Sequence, residues 1–374
     1  MAALKSKLIT KVKALKGKRV LLRLDLNVPI ENGGIVDSFR IDAAIPTIKY
    51  LTGKGAKVVI VSHLGSDGEK SLAPIANYLS KHFQTAFFPD LNNLFHIEDL
   101  KNGEVAILEN IRRLSGELEN SPKAAKWLAS LGDIFVNDAF AVSHRKQASI
   151  VGVPKYLPAY IGTLFLSEFE NLSKAFEPAR PFLFILGGLK FQTKIPLLKK
   201  FIKQADRIFV GGALANSFFK KLGYDIGQSV FDPNLSGMTE FLKAKNLELP
   251  IDSLTESAGK TAVREPEKIR PQDNIVDIGP DSLKKLKQEI EDAKFVLWNG
   301  PLGNFENGFS EGTKEVAKTI AAGKAFSVIG GGDTIAAISD LNLEKKFGFV
   351  STAGGAMLDF LAEGTLPGIE AIIK

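Results

Sequence analysis

Short apolar runs alternate with stretches of helical period along the whole chain, a pattern that predicts an α/β protein with mainly parallel strands. In the first half, RVLLRLDLN, VVIVSH, EVAILEN and DIFVNDAF read as strands. A helix is predicted from about Ser38, with Ile41, Ala44, Ile45, Ile48 and Leu51 on one face and Asp37 or Ser38 as its N-cap. SLAPIANYLSKHF and SPKAAKWLASLG read as further helices. Each strand core ends in polar or charged residues: Arg23, Asp25 and Asn27; Ser62 and His63; Glu109, Asn110 and Arg112; Asn137 and Asp138. Open α/β sheets bind ligands beyond the carboxyl ends of their strands, so these four ends predict a site.

The rhythm changes at VGVPKYLPAY, where two prolines precede a helical stretch, TLFLSEFENLSKAF, that EPARP stops. We expect a first domain over 1–163, a connecting helix and hinge over 164–180, and a second domain over 181–364. In the second half the alternation resumes, but the strand ends now carry glycine, as doublets or a triplet in FLFILGG, RIFVGG and FSVIGGGDT and as Gly-Pro in NIVDIGP and FVLWNGP. Glycine permits close backbone approach, and a following helix N-terminus offers free N–H groups, a combination suited to phosphate.

Composition narrows this picture. Hydrophobic residues at 45% and charged residues at 24% describe a globular protein, which argues against disorder and coiled coil. Residues 1–160 hold 22 basic and 15 acidic side chains, so the +6 net charge of the chain resides entirely in the first half. An anionic partner is expected there. Without cysteine, neither a disulfide framework nor a thiol nucleophile is available. No uncharged apolar run reaches the ~18–20 residues of a membrane span. The lysine-rich start MAALKSKLITKVKALKGK lacks the apolar core of a secretory signal and reads as a surface helix instead of a targeting helix. A cytoplasmic protein without membrane partners is the expectation.

Neither G-x-x-x-x-G-K-[ST] nor G-x-G-x-x-G occurs, which removes the P-loop and the usual dinucleotide fingerprint. A basic nucleic-acid-binding protein is the competing class. Against it, the arginines sit at strand ends instead of forming a stripe, and no aromatic-rich RNA motif is present. The blocks RVLLRLDLNVP, DSFRIDAAIPTI, SHLG, LENIR, NDAFAVSHR, ILGGLKFQTKI, WNGPLG, GGGDT and STAGGAM, in this order from about Lys18 to about Ala371, resemble phosphoglycerate kinase. The resemblance implies two Rossmann-like domains in a bilobal, hinge-closing, monomeric kinase, whose C-terminal tail 365–374 packs back on the first domain. It implies Mg²⁺-dependent phosphoryl transfer between 1,3-bisphosphoglycerate and ADP, giving 3-phosphoglycerate and ATP.

Such a transfer needs reactants in line and charge balance on the moving group, with little covalent help. Planar guanidinium groups grip carboxylate and phosphate well, and six of the ten arginines precede residue 150. By resemblance, Arg40 is the catalytic arginine, and Asp25, Asn27, His63, Ser66, Arg112 and Arg145 complete the phosphoglycerate site. His63 is expected as a substrate contact and not a base. The resemblance places Lys190 and Lys194 on the nucleotide phosphates and the transferring group. It puts Asp333 on the metal, with Thr334, Gly331 and Gly332 beside the phosphates. Glu306 would hold the ribose, Gly212 and Gly279 the adenine, and the N–H groups of Gly354 and Gly355 would face the moving phosphoryl. If the 190–194 stretch is helical, its two lysines share a face.

The chain also departs from the family pattern. Ser66 stands where the family has a substrate-contacting arginine, and Arg113 stands where it has an aromatic residue. Arg113 either restores the missing charge or points away from the site. Ala141, Ala213 and Ala353 replace glycines, so the site requires Ala353 to avoid positive φ. An inactive or altered-specificity family member is therefore the second reading.

Overall fold

Val20, Leu21 and Leu22 are fully buried, and their strand, Arg19–Arg23, lies inside a six-stranded sheet. The protein is described here by a computed structural model covering residues 2–94 and 96–374. The strand order is Thr85–Phe88, Val105–Leu108, Lys57–Val61, Arg19–Arg23, Ile134–Asn137 and Ala159–Ile161, and every neighbouring pair is parallel. From Arg19–Arg23 the chain builds one side of the sheet first and then the other, beginning with Ile134–Asn137. The switch point thus falls between these two strands, where Arg23 is in register with Asn137. The stretch after VGVPK ends in the edge strand Ala159–Ile161, with Pro158 just ahead of it, accepting from the Phe135 N–H at 2.9 Å.

The helix Phe39–Gly53 buries Ile41, Ala44, Ile45, Ile48 and Leu51 against this sheet, the face its periodicity specified. Fully burying one such aliphatic side chain stabilises by about 1.5–3 kcal/mol. At the helix start the Asp37 carboxylate accepts from the Phe39 N–H at 2.8 Å, while the Ser38 hydroxyl turns to Asp42.

The second six-stranded sheet has the order Leu247–Glu248, Arg207–Val210, Phe182–Leu186, Phe295–Asn299, Phe326–Gly330 and Phe349–Val350, again parallel throughout. Its switch point lies between Phe182–Leu186 and Phe295–Asn299. Phe182 packs edge-on against both Phe201 and Phe295, so aromatic pairs fill part of this core. NIVDIGP does not continue the parallel alternation. Its strand Asn274–Ile278 pairs antiparallel with Ser253–Ser257, which also pairs with Lys260–Arg264 in a separate three-stranded sheet. The exposed or half-exposed face of Lys260–Arg264 shows why: an antiparallel ribbon tolerates solvent on one side.

The chain divides into two units, residues 1–170 with 363–374 and residues 171–362. The first boundary cuts the helix Thr163–Ser173. The C-terminal helix Pro367–Ile373 belongs to the first unit, where the Gly368 N–H donates to the Ser143 carbonyl at 2.8 Å. A Cβ at Gly368 would lie 2.7 Å from the Ser143 side chain, so glycine is needed for this approach. Among the described residues, no helix is long and apolar enough to cross a membrane.

Candidate active site

In the first unit, the polar residues beyond the strand ends form one connected cluster. Arg40, in the first turn of its helix, places Nη1 2.5 Å from Asp25 Oδ2. His63 Nδ1 lies 3.8 Å from the other oxygen of Asp25 and 3.5 Å from Arg23 Nη2. Asn27 Oδ1 accepts from the Gly65 N–H at 2.9 Å, and Arg112 Nη1 donates to the Gly65 carbonyl. Arg112 lies in the short 3₁₀ turn Ile111–Arg113, which the Asn110 side chain caps. Arg145 is close enough to lower the proton affinity of Arg112 by repulsion, after burial as the larger cause.

Such a concentration of positive charge requires a counterion. Arg23 is almost wholly buried; its Nε donates to Ser149 Oγ at 3.0 Å, and Ser149 in turn donates to Glu117 at 2.5 Å. Glu117 and Ser149 were not recognisable from the sequence, because each lies in a connection with no strand-end signature. Burial and the charges of Arg23, Arg112, Arg145 and Arg40 drive the His63 pKa down to about 2. The ring is therefore neutral at any working pH, and its Nδ1 faces the Arg23 Nη2 donor as an acceptor.

Ser66 and Asp67 are exposed, and the Ser66 hydroxyl faces Asp67 at 3.4 Å. The Arg113 side chain is turned onto this loop. Its Nε donates to the Gly68 carbonyl at 2.8 Å, its Nη2 to the Glu69 carbonyl at 2.9 Å, and its Nη1 lies 3.2 Å from Glu109. These contacts turn the guanidinium onto the Gly68 and Glu69 carbonyls and the Glu109 carboxylate.

In the second unit, a cavity of about 630 Å³ opens at the carboxyl ends of the strands, across the switch point. Lys190, Lys194, Gly212, Glu306, Gly331, Gly332, Asp333, Thr334, Gly354 and Gly355 all line it. Backbone contacts fix its floor: Gly187 N–H to Asn299 O at 2.8 Å, Gly188 N–H to Pro301 O at 3.0 Å, and Leu214 N–H to Gly188 O at 2.7 Å. Gly212 has φ +61°, and a Cβ there would lie 2.7 Å from Pro301 O. Only glycine combines that dihedral with that approach.

Lys190 and Lys194 do not share a helix face. The stretch is a turn, and the helix begins at Ile195, so Lys190 is exposed while Lys194 is buried, donating from Nζ to Gly187 O. Burial lowers the Lys194 pKa to about 8, partly opposed by Asp333. Asp333 is exposed in the first turn of Gly332–Ile338. The Thr334 hydroxyl is committed to the backbone, accepting from Gly300 N–H at 2.7 Å and donating to Gly330 O at 3.1 Å. Glu306 lies exposed on the turn Phe305–Asn307.

Gly279 lies outside this lining. It caps the helix Pro280–Asp292, and a Cβ there would lie 2.3 Å from the Asp252 carboxylate, so this glycine accommodates Asp252. Polar residues missed from the sequence also line the cavity, Asn216, Asn274, Asn299 and Asp277 among them. Burial raises the Asp277 pKa to about 6, although its carboxylate accepts from the Gly312 and Ile278 N–H groups, each at 2.9 Å. Ala353 is fully buried and not among the non-glycine residues with positive φ; its N–H reaches Ser351 Oγ at 3.1 Å. The replaced glycine therefore costs no backbone strain.

Among the described residues, no three His, Cys, Asp or Glu side chains converge as a metal cage. Asp333, exposed at the rim of this cavity, fits Mg²⁺, which keeps waters and binds through one or two carboxylates plus substrate phosphates.

The phosphoglycerate kinase family model matches residues 9–364. A phosphoglycerate kinase of Dictyoglomus turgidum is 42% identical over 381 residues, covering 96% of each chain, and one of Haemophilus influenzae is 41% identical over 379 residues, again 96% of each. The solved phosphoglycerate kinase of Coxiella burnetii superposes with a TM-score of 0.84 at 38% identity, covering 98% of each chain. That of Pyrococcus horikoshii gives 0.84 at 33% identity and 96% coverage. With two doubly wound sheets, an arginine cluster at one switch point and a glycine-lined cavity at the other, the chain belongs to the phosphoglycerate kinase family.

Proposed function

We propose that the chain catalyses the reversible transfer of a phosphoryl group between 1,3-bisphosphoglycerate and ADP, giving 3-phosphoglycerate and ATP, as a monomeric cytoplasmic enzyme. The observation that carries this is the cavity at the second switch point, with Lys194 buried in its wall and Asp333 at its rim. In this reading Arg112 and Arg145 hold the phosphate of the phosphoglycerate. Asp25, Asn27 and the neutral His63 orient its hydroxyl and carboxylate ends. Arg40, Lys190 and Lys194 neutralise the group in flight, and the N–H groups of Gly354 and Gly355 receive its oxygens. Asp333 would hold Mg²⁺, which supplies charge neutralisation at the nucleotide phosphates.

No base is required, because the reacting carboxylate or acyl phosphate is already anionic. The ligands reside on different units, so transfer requires a hinge motion that brings them into line and excludes water. Small-angle scattering tests this: compaction is expected only with both ligands bound. The activity itself is tested by ATP- and Mg²⁺-dependent turnover of 3-phosphoglycerate coupled to NADH oxidation. No turnover by the folded chain would overturn the reading.

A further inference from the structure

The loop that follows SHLG raises a question of charge, since the family's arginine is Ser66 here and Arg113 is committed to backbone carbonyls. A third cation lies on the same loop. Asn110 Nδ2 donates to Leu64 O at 2.7 Å and to Lys70 O at 2.9 Å, so one carboxamide closes both ends of the 64–70 segment and fixes the Lys70 backbone. The Lys70 stem then lies across Gly65. Its Cδ is 3.5 Å and its Cγ 3.7 Å from the point a Gly65 Cβ would occupy. Gly65 is the residue whose N–H is held by Asn27 and whose carbonyl is held by Arg112, the two groups that flank the phosphoglycerate site.

The Lys70 stem therefore passes over the residue whose carbonyl Arg112 holds, with Asp67 Oδ1 3.8 Å from the same point. Lys70 is exposed, and no carboxylate lies within ion-pair distance of it among the described residues. Asp67, the acid that feels its charge, is itself open to solvent. Glu69, its other acidic neighbour in sequence, is exposed too, with its carbonyl held by Arg113. A flexible, unpaired cation on a rigidly held backbone suits a phosphate that arrives and leaves.

We propose that Lys70 is the substrate-binding cation that stands in for the arginine missing at position 66, reaching the phosphate of 3-phosphoglycerate from the next turn of the loop. Arg113 serves this indirectly, as the positioning residue that pins Gly68 and Glu69. The inference rests on the phosphoglycerate reading above and adds a residue to it.

Titration calorimetry of 3-phosphoglycerate into the full-length chain and its variants tests it. Lys70→Gln should weaken binding roughly five- to tenfold, the worth of one charge-assisted contact, with ADP affinity unchanged. Lys70→Arg should bind like the parent. Ser66→Arg added to Lys70→Gln should recover most of the loss, because it returns the charge to the same phosphate. Lys101→Gln, which removes an equal charge beside a strand's amino end, is the control for general field. An affinity for Lys70→Gln within twofold of the parent, or an equal loss in Lys101→Gln, overturns the proposal. Failure of the functional reading looks different: the parent chain then binds without coupled turnover, or binds no 3-phosphoglycerate, in which case both fall.

Discussion

His63 offers a test whose magnitude follows from its surroundings. In the native protein its ring is buried beside Arg23 and within the field of Arg112, Arg145 and Arg40, and takes up a proton only near pH 2. In the unfolded chain the ring titrates at its ordinary value of 6.5. The native pKa is depressed, so this group's contribution to stability is complete above 6.5 and is lost as pH falls towards 2. Each pH unit below 6.5 costs about 1.4 kcal/mol, so moving from about pH 7.5 to about pH 5 removes about 2 kcal/mol. In His63→Gln, which cannot titrate, that component disappears, while every other titrating group is shared with the parent. Urea unfolding of both proteins at several pH values measures the difference. Trp127 reports on the first unit when Trp298, the other tryptophan, is replaced by phenylalanine in both proteins. The parent should lose about 2 kcal/mol relative to His63→Gln over this range. A difference that does not change with pH would show that the native ring takes up its proton as readily as the unfolded one, and the neutral state assigned to His63 would fall with it.

Four further outcomes are expected. Lys194→Met should abolish turnover yet stabilise the second unit by about 1–3 kcal/mol, because a cation whose pKa burial lowers to about 8 is held in place at a cost; calorimetric Tm and kcat check the two halves. For the parent, kcat/KM for ATP should decline as pH rises through about 8, where Lys194 loses its charge. Gly212→Ala forces a Cβ against Pro301 O at φ +61°, so nucleotide affinity should fall at least about tenfold, for ~1–2 kcal/mol of strain, while 3-phosphoglycerate affinity measured by calorimetry stays unchanged. Arg113→Met frees two carbonyls and leaves Glu109 without its cation, and should lower the stability of the first unit by about 1–2 kcal/mol in urea unfolding.

Much of the fold was legible because its signals are local. Apolar runs bounded by turn residues specified most of the parallel strands, and a 3.6-residue period specified the buried face of Phe39–Gly53. The polar ends of the first-half strands carry Asp25, His63 and Arg112 in their local sequence. The ordered blocks then identified the family. What escaped was set by pairing and packing across long sequence separations. NIVDIGP looks like any other strand of the alternation, and only its neighbours made it part of an antiparallel ribbon. Lys190 and Lys194 differ by four positions under either reading, yet the chain turns between them and buries only one.

The sequence by itself therefore determined the α/β class, the family and the chemical character of both sites, since residue type and order are intrinsic to the chain. Tertiary structure alone decided how each charge is used. It buried Glu117 beneath the arginines, neutralised His63, turned Arg113 onto carbonyls, and left Lys70 unpaired beside Gly65. The reason is physical: the behaviour of an ionisable group depends on burial and on charges within a few ångströms, and its neighbours here come from segments tens of residues apart in sequence.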